Sequence, residues 1–170
     1  MGIRDLKART RGSGAKLEEG SADPEEHKGS SKEESKRLAS ELIGAIGECF
    51  LIFGVPHNRI ARFVREYLTG VLILDGEIPS EAKLVKGSID GEKVDIFLED
   101  PLIVGDVVEY AGSIDKIMEL LRKAELARAK YSREPKKILV VLRAKRDVVQ
   151  EMGKIAKEKG VELMIGKVVD

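Results

Sequence analysis

Two aspartates on neighbouring strand-like segments are the strongest candidates for chemistry in this chain. The segment KVDIFLEDPLIVGDVVEYAG, residues 93–112, contains two apolar runs joined by a turn at residues 99–101. Asp95 lies in the first run and Asp106 in the second. Strand parity places Asp106 on one face with apolar side chains, namely Leu102, Val104, Val108 and Tyr110. Removing the partner of a buried carboxylate costs about 3–5 kcal/mol, so hydrogen bonds, a basic group or a metal ion must compensate Asp106.

The two carboxylates together are suited to a hard divalent cation. If the two strands pair, Asp95 lies beside Asp106, and carboxylate oxygens with waters and phosphate oxygens are the ligands that Mg²⁺ prefers. The alternative is that one or both acids lie at strand ends, solvated or paired with Lys93 or with a cation from a helix. A shared metal site requires both carboxylates to point to the same face.

Apolar periodicity predicts the helices and strands that would position these acids. A first helix is expected over residues 35–53, with a buried stripe of Leu38, Leu42, Ile46, Cys49, Phe50 and Phe53. Asn58 is expected to cap a second helix over residues 59–68 that Gly70 ends. A third helix, capped by Ser113, runs to about Tyr131. The last helix covers residues 147–159.

Strands are predicted between and after these helices. The expected ranges are 71–74, 82–89, 93–98, 102–111, 137–142 and 161–165, with a hairpin turn at Asp90-Gly91. Residues 93–98 alternate, which places Val94 on one side and Asp95 on the other. Hairpins followed by strand, helix, strand, helix, strand predict an α/β fold with a central mixed β-sheet flanked by helices. Residues 1–36 are poor in large apolar residues and are expected to be a disordered charged tail, which leaves residues 37–170 as one α/β domain.

This order of elements and acids resembles the PD-(D/E)xK nuclease superfamily, which has the restriction-endonuclease-like fold, and in particular its archaeal-type members. Three short matches carry the resemblance, over about residues 40–169: Val94-Asp95, Gly105-Asp106-Val107-Val108, and Gly47-Glu48 on the first helix. It also extends to the helix sequence Leu120-Leu121-Arg122-Lys123-Ala124-Glu125-Leu126. The resemblance implies that Asp95 and Asp106 hold Mg²⁺, that Glu48 assists, and that the reaction is metal-dependent hydrolysis of DNA phosphodiester bonds.

One residue that the resemblance requires is missing. The lysine of the E-x-K motif should fall at Val108, or at Ala111 if the motif is read from Glu109. Lys116 or Lys123 on the following helix could replace it, since the two are seven residues apart and share a face; solvation of each is the alternative. A second hypothesis is therefore a catalytically degenerate nuclease fold that serves as a nucleic-acid-binding or protein-interaction module. A third is a plain α/β domain for a small ligand.

Composition narrows the classes of partner. The formal net charge is zero, with 30 basic and 30 acidic residues, so the simplest argument for nucleic-acid binding, a strongly basic domain, is absent and a local basic face is the alternative. The most basic stretch, residues 122–137, has seven basic residues against two acids and is the predicted nucleic-acid patch. Charged residues make up 35% of the chain while Asn58 and Gln150 are its only side-chain amides, which is typical of thermophilic proteins.

Several other functions lack the residues they need. One cysteine, Cys49, forms no internal disulfide, fits a reduced cytoplasm and is expected to be a packed thiol. Together with only two histidines it gives no zinc site. His27 lies in the predicted tail and His57 in a predicted loop, so no serine triad is available. Neither a signal peptide nor a membrane span is expected. A homodimer through an apolar edge would be consistent with the pattern, but no specific interface is predicted.

Overall fold

The structure is a computed structural model that describes the backbone of residues 24–170 and the side chains of residues 33–170. Residues 1–23 of the predicted tail lie outside the described range. Ser35–Asp170 forms a compact unit of its own. The helices are α1 Pro24–Ile52, α2 His57–Leu74, α3 Asp115–Tyr131 and α4 Arg146–Lys159. The strands are β1 Val85–Ile89, β2 Glu92–Leu98, β3 Ile103–Ala111, β4 Lys136–Lys145 and β5 Val161–Val169. The backbone of residues 24–36, predicted as tail, is therefore helical.

The five strands form one mixed sheet in the order β1-β2-β3-β4-β5. β1, β2 and β3 are antiparallel neighbours, whereas β3, β4 and β5 run parallel. Each parallel connection is a helix, α3 between β3 and β4 and α4 between β4 and β5, as expected for crossovers on one sheet. The predicted α/β class with a central mixed sheet flanked by helices is confirmed.

The core is divided between the two faces of the sheet. One cluster joins α1 and α2 to the sheet and includes Ile43, Ile60, Leu68, Ile96, Ile103 and Val107. The other joins α3 and α4 to the opposite face and includes Val94, Val104, Val108, Leu120, Leu139 and Met152. Because β3 and β4 are covered on both faces, they are apolar along most of their length.

The predicted buried stripe of α1 is wrong in part. Ala39, Ile43, Gly44 and Gly47 form its buried face, whereas Leu38, Cys49 and Phe53 of the predicted stripe are exposed. Small residues replace the predicted stripe because the helix backbone lies very close to the sheet. A Cβ added to Gly44 would lie 2.4 Å from the carbonyl oxygen of Gly166, which no real side chain tolerates.

Two boundaries around α2 also differ from the prediction. Residues 71–74, predicted as a strand, form the last turn of α2, which runs through Gly70 to Leu74. A glycine inside a helix costs about 1 kcal/mol, whereas burying a leucine such as Leu72 contributes about 1.5–3 kcal/mol, so the helix continues. The helix begins at His57, one residue before Asn58, so Asn58 is not its cap.

The remaining differences are small shifts at element ends. β1 begins at Val85, so only the second half of the predicted strand over residues 82–89 is formed. β4 and β5 extend three and four residues beyond the predicted ends. α3 begins at Asp115, so Ile114 and not Ser113 is at the N-cap position, although the Asp115 backbone N–H donates to the Ser113 hydroxyl at 3.2 Å.

Candidate functional site

Asp95 and Asp106 lie beside one another where the β2–β3 ladder ends. The ladder pairs residues 96–98 of β2 with residues 103–105 of β3 and stops at the Ile96–Gly105 pair. At the next position, hydrogen bonds to the aspartate side chains replace those of the backbone ladder. The backbone N–H of Asp95 donates to Oδ1 of Asp106 at 3.2 Å, and the backbone N–H of Val107 donates to Oδ2 of Asp95 at 2.9 Å. The side chains of the two acids therefore supply the hydrogen bonds between β2 and β3 beyond the end of the ladder.

An irregularity in β2 directs Asp95 to this position. The register between β1 and β2 shifts, because Val85 pairs with Phe97 but Gly87 pairs with Val94. As a result Val94 and Phe97 both pack on the α3 face while Ile96 packs on the other. The predicted clean alternation of residues 93–98 is therefore wrong. β-Bulges of this kind re-aim single side chains and are common beside active sites.

A residue from α2 holds the irregular backbone in place. The guanidinium of Arg65 donates to the backbone carbonyl oxygen of Asp95 at 3.0 Å. A charged donor from the neighbouring helix thus gives this carbonyl a hydrogen-bond partner beside the end of the β2–β3 pairing. Arg65 thus connects the α1/α2 layer to the site.

Lys123 from α3 lies against Asp106. Its ammonium is 2.9 Å from Oδ2 of Asp106 and 2.7 Å from the backbone carbonyl oxygen of Lys93. The side chains of Lys123 and Asp106 are only 13% and 12% exposed, so solvent does not screen this ion pair well. The side chain of Lys123 is therefore not solvated, which was the alternative prediction. A cation therefore lies beside the acid although Val108 occupies the expected lysine position.

Burial dominates the electrostatics of Asp106. It raises the pKa of the Asp106 carboxyl above its ordinary value, and the hydrogen bond and charge of Lys123 lower this pKa only in part. The neighbouring charge of Asp95 raises the pKa further. An additional cation beside Asp106 would therefore stabilise its ionised form.

His57, the first residue of α2, contacts two acids of this site. Its Nδ1 is 3.0 Å from Oε2 of Glu109, and its Nε2 is 3.4 Å from Oδ2 of Asp95. The sequence had indicated a loop after Pro56 and no role for this histidine. No local motif could have found it, because Asp95 and Glu109 are distant in sequence and meet His57 only through the packing of α2 against β2 and β3.

The acids open into a cleft of about 360 Å³ with a basic rim. Apart from the two aspartates, the charged or titratable residues lining it are His57, Lys86, Lys93, Lys116, Glu119 and Lys123. Lys86, Lys93 and Lys116 form no ion pair with any residue in the described part of the chain. The cleft thus combines two acids at its base with three unpaired ammonium groups around them.

Glu48, the predicted auxiliary acid, lies elsewhere. It accepts hydrogen bonds from the Arg143 guanidinium at 2.8 and 3.1 Å, and the ammonium of Lys167 is 3.7 Å away. The hydrogen bond and charge of Arg143 lower the pKa of the Glu48 carboxyl. The structure does not bring Glu48 into the cleft that Asp95 and Asp106 line.

The basic stretch of residues 122–137 is mostly neutralised. Arg122 pairs with Glu92, Arg128 with Glu125, Lys137 with Glu134, and Lys136 with Glu77 and Glu162. Arg133 donates to the backbone carbonyl oxygen of Glu99. The unpaired basic rim of the cleft is therefore a better candidate for a polyanion than this stretch.

The donor set fits a divalent cation that is coordinated chiefly by non-protein oxygens. The contacts that the described residues make to the Asp95 carboxylate use Oδ2, which leaves Oδ1 available. No group of three or more metal-binding side chains exists among residues 33–170. Two carboxylates plus water and phosphate oxygens is an arrangement that Mg²⁺ accepts, because Mg²⁺ retains several waters in protein sites.

Comparisons with known proteins add no further information on this site. No protein family, curated protein or solved structure matches this chain.

Within the described range, no helix is both long enough and apolar enough to cross a membrane.

Proposed function

We propose that this chain is a PD-(D/E)xK-like nuclease domain that hydrolyses phosphodiester bonds of DNA with the help of Mg²⁺. The observation that carries the proposal is the contact between Lys123 and Asp106, which returns a buried cation to the acid pair. In this proposal the lysine has moved from β3 to α3. Its ammonium is brought to the acids from the helix that covers the same face of the sheet.

Each residue of the cleft has a proposed role. Asp95 and Asp106 hold the metal ion, and Arg65 keeps Asp95 in place through its backbone carbonyl. A bound Mg²⁺ would polarise the phosphate and make a coordinated water more acidic. Lys123 stabilises the negative charge that develops on the phosphate in the transition state. Lys116, with Lys86 and Lys93, attracts the phosphate backbone to the rim. Glu48 has no role in this proposal, because Arg143 and Lys167 hold it outside the cleft.

Cleavage assays with single- and double-stranded DNA in Mg²⁺, Mn²⁺ or EDTA test the proposal. The wild type is expected to cleave only with a divalent metal. Asp95→Asn and Lys123→Met should each reduce cleavage by roughly 100-fold or more, the usual effect of removing one group that stabilises the transition state. Asp147→Asn and Lys154→Met, exposed positions on α4, are the matched controls and should retain wild-type activity. Absence of both cleavage and calorimetric metal binding in the wild type would refute the proposal.

A specific observation favours a second candidate, the catalytically degenerate fold that acts as a nucleic-acid-binding or protein-interaction module. Both aspartates already have cationic or titratable partners from the chain itself, since Lys123 contacts Asp106 and His57 contacts Asp95. The charge of Lys123 neutralises Asp106 from within the chain, which removes part of the need for a metal ion. This candidate predicts electrophoretic shifts of DNA that persist in EDTA, disappear when Lys86, Lys93 and Lys116 are changed to glutamate, and occur without cleavage under any metal condition.

A further inference from the structure

The corner between α1 and α2 displays two large apolar side chains to solvent. Ile52 is 72% exposed and Phe53 is 81% exposed. The corner itself is fixed by hydrogen bonds. The Phe53 N–H donates to the carbonyl oxygen of Cys49 at 3.0 Å, and the Val55 N–H donates to that of Phe50 at 2.9 Å. Gly54 between them has a φ of +65°, the left-handed conformation that closes helix ends. Phe53 is therefore presented from a defined backbone.

A short stretch of chain joins this corner to the cleft. His57, four residues after Phe53, lines the cleft and contacts both Asp95 and Glu109. Four residues of extended chain span at most about 14 Å. This reach corresponds to roughly four stacked bases at about 3.4 Å each along one strand. A strand whose phosphates enter the basic rim could therefore place one of its bases at Phe53.

We propose that Phe53 is a stacking platform for an unpaired base of single-stranded nucleic acid whose backbone enters the Asp95–Asp106 cleft. This inference rests on the proposed function, because it assumes that the basic rim binds a phosphate backbone. A positively charged groove with an exposed aromatic ring beside it is the usual construction of a single-strand binding surface, since every base has a flat face that stacks on the ring. Bases within a duplex already stack on one another and cannot use Phe53, so the surface selects single strands, overhangs or flaps.

The chain offers a direct spectroscopic test because it contains no tryptophan. In Phe53→Trp the new indole is the sole tryptophan and reports on stacking. Leu74→Trp is the matched control, because Leu74 is 86% exposed but lies at the opposite end of the 18-residue α2, about 26 Å along the helix from His57. Both proteins are titrated in EDTA with a single-stranded oligonucleotide and with a duplex of the same length.

Saturable quenching of Phe53→Trp by the single strand is expected, with weaker quenching by the duplex and none in Leu74→Trp. In parallel, Phe53→Ala should weaken single-strand binding roughly 5- to 150-fold, the range measured when stacking aromatics are replaced, whereas Phe53→Tyr should keep it. Wild-type and Phe53→Ala proteins that bind the single strand equally well would overturn this inference but leave the proposed nuclease function intact.

Two further outcomes would also overturn it. If the Phe53→Trp emission depends on protein concentration alone, a second copy of the chain covers the corner. If no oligonucleotide binds the wild type and no substrate is cleaved, both this inference and the proposed function fail.

Discussion

The ammonium of Lys123 on α3 lies 2.9 Å from Oδ2 of Asp106 on β3, and both side chains are nearly excluded from solvent. Substituting only one residue of such a buried ion pair destabilises the protein. Removing either partner leaves the other as a poorly solvated charge, whereas removing both leaves only a packing defect.

A double-mutant cycle should therefore show strong coupling between these two residues. We expect Lys123→Met and Asp106→Asn each to lower the free energy of unfolding, and the double variant to be more stable than the sum of the two losses implies. The coupling energy should be about 1–3 kcal/mol, the range for residues in direct contact. Urea unfolding of the four proteins at neutral pH measures it. Additive effects would show that the contact contributes nothing to stability.

The raised pKa of Asp106 gives a pH dependence with a definite sign. Because the folded-state pKa lies above the unfolded-state pKa, the folded protein binds more protons between the two values, and Asp106 contributes less stability as the pH rises through that interval. Asp106→Asn lacks this effect. Its unfolding free energy relative to wild type should therefore rise across the interval and level off above the folded-state pKa.

Carbon-13 NMR titration of the Asp106 carboxyl locates the interval directly. In Lys123→Met the same pKa should rise further, because the group that partly opposes the effect of burial is gone. Urea unfolding of wild type and Asp106→Asn at a series of acidic pH values checks the stability difference. A difference that falls with pH across the titration of Asp106 would contradict the assigned direction.

The close approach of α1 to the sheet predicts the sign of a glycine substitution. Gly44→Ala should lower the free energy of unfolding by about 1–3 kcal/mol, the usual cost of overpacking, because its Cβ would collide with the backbone of Gly166. Gly153→Ala on α4 is the control. Its Cβ meets no other atom within 4 Å, so the better helix propensity of alanine should stabilise the protein by about 0.5–1 kcal/mol. Thermal and urea unfolding of both variants measure the contrast.

If the rim binds nucleic acid, its lysines should determine the salt dependence of binding. Replacing Lys86 and Lys116 with alanine should weaken DNA binding and reduce the slope of log K against log salt by about two, since each lost phosphate contact removes roughly one. Lys154→Ala with Lys157→Ala, exposed on α4, removes the same charge away from the cleft. Fluorescence anisotropy over a salt series compares the two pairs, and equal slopes would exclude the rim as the binding surface.

The α/β class could be predicted because apolar periodicity and the alternation of helices and strands are local properties of the chain. The alternation of side chains along β3 also predicted correctly that Asp106 lies among apolar neighbours. The position of Asp95 could not be derived in the same way. Its orientation depends on a register shift between β1 and β2, and nothing in residues 93–98 indicates a bulge.

Only some of the residues that contact the two acids could be predicted from the sequence. The helical spacing of Lys116 and Lys123 made both candidates, but the burial of Lys123 depends on how closely α3 packs on the sheet. His57 and Arg65 were missed, because both reach the site from α2 across the other layer of the fold. The ion pairs of the basic stretch of residues 122–137 could not be predicted, since the carboxylates that neutralise it come partly from distant segments.

Beyond Ile96 and Gly105, hydrogen bonds to the two acids replace the ladder, so the acids also have a structural role. Without the Asp95 carboxylate, the backbone N–H of Val107 loses its acceptor, and an unsatisfied buried donor costs about 1–3 kcal/mol. An alanine at this position would therefore report on folding as much as on chemistry. Asparagine keeps a carbonyl oxygen for Val107 while discarding the charge, so it is the substitution that separates the two roles. The need to hold β2 against β3 therefore constrains substitution at this position whatever chemistry the cleft performs.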